Sequence, residues 1–277
     1  MEDERSYLEQ RSYLGWFIGI AAAIAVAVIG YNVWRQTRPV EVPPPAPQAE
    51  APAPAPAPVP AAEPQVQHPL PQTEAEAEPL PSLETSDALL TDSLTKLLGR
   101  KSLGEFLFTD GIVRRIVATV DNLPREKVSS KITAAKPVPG AFAVEQRADE
   151  TVIAAGNAAR YGRHVQLLES IDTGQAVALY LRLYPLFQRA YEDLGYPKKY
   201  FNDRLVEVID HLLAAPDPGG PIKLLQPKVR YEYVDPDLEA ASAGQKIMLR
   251  IGADNAARVK AKLREVRAEL MRQSAKQ

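Results

Sequence analysis

Apolar side chains recur every three to four residues through most of residues 86–277, which is the spacing of one face of an α-helix. Capping residues, glycines and prolines divide this pattern into separate predicted helices. The predicted helices cover about 86–98, 104–122, 157–171, 173–196, 197–215, 235–251 and 254–273. We expect Pro185 to kink or split the fourth of them, because proline removes a backbone donor and crowds the preceding turn.

Two segments interrupt the helical pattern. Residues 123–149 form a long irregular run, in which GAFAV at residues 140–144 is a candidate strand. Residues 222–234 look extended, with Val229, Tyr231 and Tyr233 at alternate positions. The predicted fold class is therefore mainly α: a helical globular domain over residues 86–277 with at most a minor two-stranded β element.

A segment of 21 residues without a charged side chain, residues 14–34, follows a short N-terminal tail of residues 1–13. As a helix it spans roughly 31 Å, which matches a bilayer core of about 30 Å. Trp16, Tyr31 and Trp34 stand where interfacial aromatic residues are expected. A cleaved signal peptide has a shorter apolar core and a small-residue cleavage site. The sequence therefore predicts a transmembrane helix in contact with the lipid bilayer.

Small residues recur every four positions within this segment, at Gly15, Gly19, Ala23 and Ala27. Such a face lets two helix backbones approach closely, so it predicts self-association and a homodimer. An alanine-rich span also produces this spacing by chance.

Fifteen of the 25 prolines lie between Pro39 and Pro81, within a segment rich in Pro, Ala and Glu at residues 35–85. Few large apolar residues are available there, so the segment is predicted to be a disordered linker. Extended polyproline conformation gives it a reach of up to roughly 130 Å. A semi-rigid spacer is the favoured interpretation, and a ligand for a proline-binding groove is the alternative.

The charges flanking the predicted span do not decide its orientation, since Arg5 and Arg11 on one side balance Arg35 and Arg38 on the other. A tiny N-terminal tail and a long tether favour a cytoplasmic N-terminus and a periplasmic C-terminal domain at the bacterial inner membrane. Residues 96–277 carry 29 Lys plus Arg against 22 Asp plus Glu. With the reverse orientation, this basic domain would face nucleic acid or anionic lipid in the cytoplasm.

The stretch YFNDRLVEVIDHLL contains the densest group of candidate site residues: Asp203, Glu207, Asp210 and His211. At about 100° per residue the three acids lie opposite an apolar stripe, and the histidine lies on its flank. The stripe consists of Phe201, Leu205, Val208 and Leu212. Three interpretations fit this arrangement: a solvated face with local charge pairs, an acidic surface for a partner, and a metal site that borrows ligands from another element.

The last predicted helix is basic around its apolar stripe, and Arg258, Lys262 and Arg267 belong to this basic face. Such a face can bind an acidic partner, anionic lipid or a wall polymer, or it can simply be solvated. Together with Asp203, Glu207, Asp210 and His211, this basic face forms the predicted partner surface.

Signatures of catalysis are missing. The chain has no cysteine, and it has no glycine-rich phosphate loop, HExxH motif or GxSxG elbow. Of three histidines, His68 lies in the predicted linker, so a Ser/His/Asp triad would have to use His164 or His211. No catalytic residue, cofactor or metal ligand is predicted.

Several longer segments are similar to a bacterial family catalogued as domain of unknown function 3014. They are TVDNLPREKV (119–128), VPGAFAVEQ (138–146), LYPLFQRAYEDLGYPKKYFNDRLVEVIDHLLAAP (183–216) and KVRYEYVDPDLEAASAGQKIMLRIGADNAARVKAKLREVR (228–267). The resemblance implies a membrane anchor, a proline-rich tether and one globular domain. It implies no activity and no catalytic residues.

Together these features predict a non-enzymatic envelope protein that presents a helical interaction domain to another envelope protein or a cell-wall polymer. An envelope hydrolase that uses carboxylates, with residues 123–149 as a lid, is one alternative. A cytoplasm-facing domain that binds anionic lipid or nucleic acid is the other, although nucleic acid is not the expected partner.

Overall fold

The structure is a computed structural model that describes residues 66–71 and 79–275. These residues belong to one compact unit, Ala61–Gln277. The predicted N-terminal tail, the predicted transmembrane segment with its small-residue face and most of the predicted linker lie outside the described residues. Within the described part of the chain, no helix combines the length and apolar character needed to cross a bilayer.

The described residues are mainly helical, as predicted. The α-helices are α1 (Asp87–Leu98), α2 (Arg100–Phe106), α3 (Ile112–Asn122), α4 (Gly162–Ser170), α5 (Thr173–Asp193), α6 (Phe201–Leu213), α7 (Pro236–Ala240), α8 (Ala243–Arg250) and α9 (Ala253–Ser274). Short 3-10 helices occupy Leu83–Thr85 and Ala155–Tyr161. Ser86 and Gly99 bound α1 as the sequence predicts.

The helix predicted over 104–122 is divided into α2 and α3. Gly111 adopts a φ of 58° at the N-cap of α3, a conformation that favours glycine. Asp87 then supplies the cap from a distance, because its carboxylate accepts hydrogen bonds from the N–H groups of Gly111 at 2.7 Å and Ile112 at 3.1 Å. The first residue of α1 thus fixes the start of α3.

Two prolines do not bound helices in the way that the sequence suggests. Helix α5 continues through Pro185, so the helix does not split there. The buried Leu183, Leu186 and Phe187 pack on both sides of the proline, and this tertiary packing outweighs the missing backbone donor. Helix α6 begins at Phe201, so Pro197 is not its first residue.

The main core lies where α1, α3 and α5 meet α6. Phe201 is fully buried at its centre and stacks on Phe187 with ring centroids 5.8 Å apart. On the other side of α6, Leu270 of α9 packs against Val206 and Ile209. Helix α6 therefore lies between two packed layers, which restricts its position more than that of a peripheral helix.

A small antiparallel sheet has four strands in the order β1 (Val144–Arg147), β2 (Glu150–Ile153), β3 (Lys223–Leu225) and β4 (Glu232–Tyr233). The prediction of at most two strands was wrong. Strands of two to four residues are too short to show an alternating pattern, and residues 140–144 mainly precede β1. The sheet packs Leu224 and Tyr233 against Leu238 and Leu249.

Residues before 86, the domain boundary expected from the sequence, also pack on the main core. Leu83 is 7% exposed and Leu80 packs against the main core. Residues 66–71 also belong to the described structure, and they contact α6. Part of the segment predicted as linker is therefore structurally joined to the domain.

Gly244 lies at the closest approach of α8 to α6 and to the end of α3. Its N–H donates a hydrogen bond of 2.8 Å to the carbonyl oxygen of Leu123. A Cβ atom at this position would lie 2.6 Å from Leu212 Cδ2 and 3.0 Å from the Leu123 oxygen. Since the second neighbour is backbone, it has little room to move away.

We expect Gly244→Ala to lower the free energy of unfolding by about 1–3 kcal/mol, because the methyl group overpacks this contact. The matched control is Gly104→Ala in α2, where an added Cβ meets no atom within 4 Å. That change should raise the free energy of unfolding by about 0.5–1 kcal/mol, as removal of a helix glycine does. Urea titration of both variants measures the difference, and equal stabilities would contradict the close-packing argument.

Candidate functional site

Helix α6, which carries the predicted acidic residues, is enclosed by α3, α5, α8 and α9. Phe201 and Val208 are buried as the predicted stripe requires, but Val206 and Ile209 are buried as well. Burial therefore extends around more of the helix than one stripe. The acidic side of α6 meets other parts of the chain.

Asn202 and Asp203 hold the main chain of residues 67–68, and we name this pair the α6 clamp. Asp203 accepts hydrogen bonds from the N–H of Gln67 at 3.1 Å and from that of His68 at 2.7 Å. Asn202 Nδ2 donates to the His68 carbonyl oxygen at 2.8 Å. These three bonds all go to backbone groups of the segment, which bends at Gln67 and His68, and none goes to its side chains.

The clamp is preorganised by burial. Asn202 is only 1% exposed, and its Oδ1 accepts a hydrogen bond of 3.1 Å from the Tyr180 hydroxyl. Burial raises the pKa of Tyr180, so the hydroxyl stays a neutral donor. This bond fixes the amide orientation that points Nδ2 at the peptide carbonyl.

An ion-pair network lies beside the clamp, with Asp121 of α3 at its centre. The Asp121 side chain is 2% exposed and accepts from Arg204 Nε at 3.1 Å and from Arg125 Nη2 at 2.6 Å. Arg204 also donates to the Asp121 carbonyl oxygen at 2.7 Å and to Glu207 at 2.9 Å. Burial disfavours the charged form of Arg204, yet Glu207 and Asp121 hold its pKa above the usual value.

Between the clamp and this network lies a cleft of about 550 Å³, which we name the tyrosine cleft. Its walls are formed by Gln67, Asp121, Tyr191, Tyr196, Lys199, Tyr200, Asp203, Arg204 and Glu207. Tyr191 and Tyr196 are stacked with ring centroids 4.6 Å apart. Burial, followed by the charge of Asp121, raises the pKa of Tyr191 to about 12. The cleft thus offers aromatic surface and charges of both signs next to a bound segment of main chain.

Three carboxylates border the tyrosine cleft, as the hydrolase alternative would require, but each already accepts hydrogen bonds. Asp121 is bound by two guanidinium groups, Glu207 by Arg204 and Asp203 by two backbone N–H groups. A general acid must present a proton to its substrate, and both oxygens of Asp121 and of Asp203 instead accept hydrogen bonds from the protein, whereas Arg204 binds one oxygen of Glu207.

His211 forms a pair with Ser242 in which Nε2 lies 2.7 Å from the serine Oγ. This is the contact that a serine nucleophile needs, but Ser242 is 8% exposed and is the N-cap of α8. Its Oγ also accepts from the Gln245 N–H, and the Gln245 side chain donates to the His211 carbonyl oxygen. The described residues place no carboxylate against the imidazole. The pair therefore joins α6 to α8, a role that satisfies both polar groups.

Asp210 faces the basic last helix of the same domain. Arg267 of α9 binds its carboxylate with both Nε and Nη2, at 2.5 and 2.9 Å. The acidic and basic halves of the predicted partner surface thus pair with each other at this point. Whether the surface also meets a partner is still a prediction.

The other basic members of the predicted partner surface also have partners within the domain. Arg258 binds Glu169 of α4 through two nitrogens, and this contact lowers the pKa of the carboxyl group. Lys262 donates to the carbonyl oxygen of Ile171 at 3.0 Å and pairs with Glu265 at 2.9 Å. These residues dock α9 on α4 and the segment that follows it.

His164 is the other histidine that a catalytic triad could use. It packs edge-on against Phe106 with ring centroids 4.7 Å apart. Its Nδ1 is buried and has no hydrogen-bond partner among the described residues. Burial lowers the pKa of His164, since the charged imidazole is poorly solvated there. In the part of the chain that the structure describes, no group of three or more His, Asp or Glu residues is arranged to hold a metal ion.

Sequence reasoning missed Asp121, Arg204 and Asn202 as site residues. A signal for Asp121 was present, because it continues the four-residue spacing of Val113 and Val117, which are both 1% exposed. An acid on an apolar stripe predicts a buried partner. No comparable signal identifies Asn202, whose partners are distant in sequence.

The sequence model of a family described as protein of unknown function (DUF3014) matches residues 112–267. The matched region contains α3, α5 and α6, and therefore the ion-pair network and the clamp. No curated protein and no solved structure matches the chain.

We expect Arg204→Met to lower the free energy of unfolding by about 3 kcal/mol, because it leaves the buried Asp121 without its buried partner. Arg125 remains, but its side chain is 52% exposed. The matched control is Arg189→Met in α5, whose side chain is 67% exposed and pairs with Asp193. Arg189→Met should lower the free energy of unfolding by less than about 1 kcal/mol. Chemical denaturation measures the stability of both variants. A similar loss of stability in both would show that the buried pair with Asp121 contributes no more than an exposed ion pair.

Proposed function

The chain belongs to a family described as protein of unknown function (DUF3014), and we propose that it is a membrane-anchored envelope protein whose domain binds polypeptide segments. The apolar residues 14–34 and the Pro/Ala-rich residues that follow support an anchor and a tether. The proposed location is the bacterial inner membrane, with a cytoplasmic N-terminus and a periplasmic domain. The proposed partner is another envelope protein.

The observation that carries this proposal is the α6 clamp. Asp203 and Asn202 hold two N–H groups and one carbonyl oxygen of residues 67–68. Recognition of main-chain groups gives affinity for a segment that bends as residues 67–68 do, whatever its side chains, and neighbouring pockets then select those side chains. The domain already binds a polypeptide in this way, namely its own linker.

The tyrosine cleft supports the same proposal because it extends the binding surface beyond the clamp. Gln67 of the bound segment lies on its wall, so the ligand side chain at this position would meet the cleft. Tyr196 and Tyr200 supply the aromatic surface on which peptide interfaces commonly depend, and the buried Tyr191 supports Tyr196 from below. Lys199 and Glu207 at the exposed edge can pair with side chains of either charge.

The proposed orientation predicts that alkaline phosphatase fused after Gln277 is active, because that enzyme folds only after export. β-Galactosidase fused at the same residue is the control, since it is active only in the cytoplasm, and it should be inactive. The reverse pair of activities would place the domain in the cytoplasm. It would then support the alternative of a basic domain that faces anionic lipid or nucleic acid.

The clamp predicts binding of a free peptide with the sequence of residues 66–71, VQHPLP, once the chain's own copy is replaced by Gly and Ser. Asp203→Ala in that background should weaken binding at least about tenfold, because two charge-assisted hydrogen bonds are lost. Fluorescence anisotropy of a labelled peptide, with the full chain in detergent micelles, measures both affinities.

Two controls test whether the clamp recognises main chain. Asp237→Asn, at an exposed carboxylate of α7, should leave the affinity unchanged. A peptide with proline in place of both Gln67 and His68 lacks the two N–H donors and should not bind. Equal binding of this proline peptide, or no binding of VQHPLP, would contradict the proposed peptide site.

A further inference from the structure

A second cleft, of about 450 Å³, lies at the end of the small sheet and away from the residues of the clamp. The β3–β4 connection, the segment before β1 and the C-terminal end of α8 contribute its walls. We name it the arginine cleft after Arg160, Arg230 and Arg250, which all line it. No acidic residue lines it.

These three arginines form no close ion pair among the described residues, although Arg250 lies near enough to Glu239 for their charges to interact. Among the described residues, none of them has a carboxylate oxygen within 4.0 Å, whereas Arg204 and Arg267 each do. Arg160 donates to the carbonyl oxygens of Pro139 and Gly140, which are neutral acceptors. Three positive charges that converge on one concave surface attract an anion more strongly than scattered surface charges.

Aromatic side chains form much of the remaining wall. Phe142 and Tyr231 lie with ring centroids 6.1 Å apart, and Tyr161 and Tyr233 line the same cleft. Arg160 also lies over the Tyr161 ring at 5.6 Å. Val229 at the rim is 90% exposed, so a ligand that extends past the cleft can cover it. Aromatic faces next to guanidinium groups suit a ligand that has both a flat apolar face and a negative charge.

We propose that the arginine cleft binds an acidic sugar unit of an envelope polysaccharide. Arg230 and Arg250 hold the carboxylate, since guanidinium groups bind carboxylates with paired hydrogen bonds. The C–H face of the sugar ring packs on Tyr231. The choice of a sugar over a nucleotide, which also combines a flat ring with an anion, rests on the proposed envelope location.

The probe for this site is trigalacturonate, a short polymer of carboxylated sugars, titrated by calorimetry into the full chain in detergent micelles. Binding is expected, and maltotriose, which has similar rings without charge, should bind at least about tenfold more weakly. Arg230→Gln should weaken trigalacturonate binding by a similar factor. Arg230 is exposed and has no ion pair among the described residues, so its loss does not disturb a structural contact.

The matched control is Arg182→Gln, which removes the same charge from an exposed position on α5 and should not change the affinity. Tyr231→Phe should retain binding and Tyr231→Ala should weaken it, because the ring face and not the hydroxyl makes the contact. Asp203→Ala should leave trigalacturonate binding intact. The sugar titration therefore tests the arginine cleft alone, and the peptide titration tests the clamp alone.

Three outcomes would overturn the proposal. The cleft is not an anion site if trigalacturonate does not bind, or if Arg182→Gln lowers the affinity as much as Arg230→Gln does. Equal affinity for maltotriose means that the arginines do not recognise the charge. Tighter binding of adenosine monophosphate than of trigalacturonate means that the site takes nucleotides and not acidic sugars.

Discussion

The buried pair of Asp121 and Arg204 fixes how α6 lies against α3, and the rest of the site depends on that register. Apolar packing alone is non-directional and leaves a helix free to rotate slightly. Arg204 removes this freedom, because it binds both a carboxylate oxygen and the backbone oxygen of Asp121. With α6 held in this rotation, Asn202 and Asp203 face the linker segment, and Leu212 faces the bare glycine of α8. A buried pair of this kind contributes more to a unique arrangement than to net stability.

Several charged side chains of the domain join its own elements, and these side chains are less available to recognise a partner. Asp210 with Arg267, and Glu169 with Arg258, connect α6 and α4 to α9. Paired charges of opposite sign cancel at a distance, so such pairs attract a charged ligand weakly. Recognition is better served by polar groups that the fold leaves available. Arg230 and Arg250 beside the sheet, which have no carboxylate oxygen within 4.0 Å among the described residues, are groups of this kind.

The parts of the fold that depend on local sequence were predictable, and the parts that depend on distant contacts were not. Ser86 and Gly99 set the ends of α1 through their immediate neighbours, so the pattern located that helix correctly. Pro185 does not split α5, and the packing on both sides of it that keeps the helix continuous is invisible in a local window. The same limit applies to the site. The sequence selected Asp203 as one of a cluster of acids, but its partner His68 lies 135 residues away. No spacing rule relates two such positions.

The linker's position has a consequence for selectivity under the proposed function. A segment tethered to the domain that binds it acts at a high effective concentration, on the order of millimolar for a short flexible connection. A partner polypeptide must therefore displace residues 67–68, and a backbone of the same conformation alone gives it no advantage, because the clamp holds both through the same main-chain groups. The difference must come from side chains that enter the tyrosine cleft, where Gln67 is the one described linker residue on the wall. Peptides that bind more weakly than the linker therefore fail to displace it, and contacts in the tyrosine cleft determine which partners bind tightly enough.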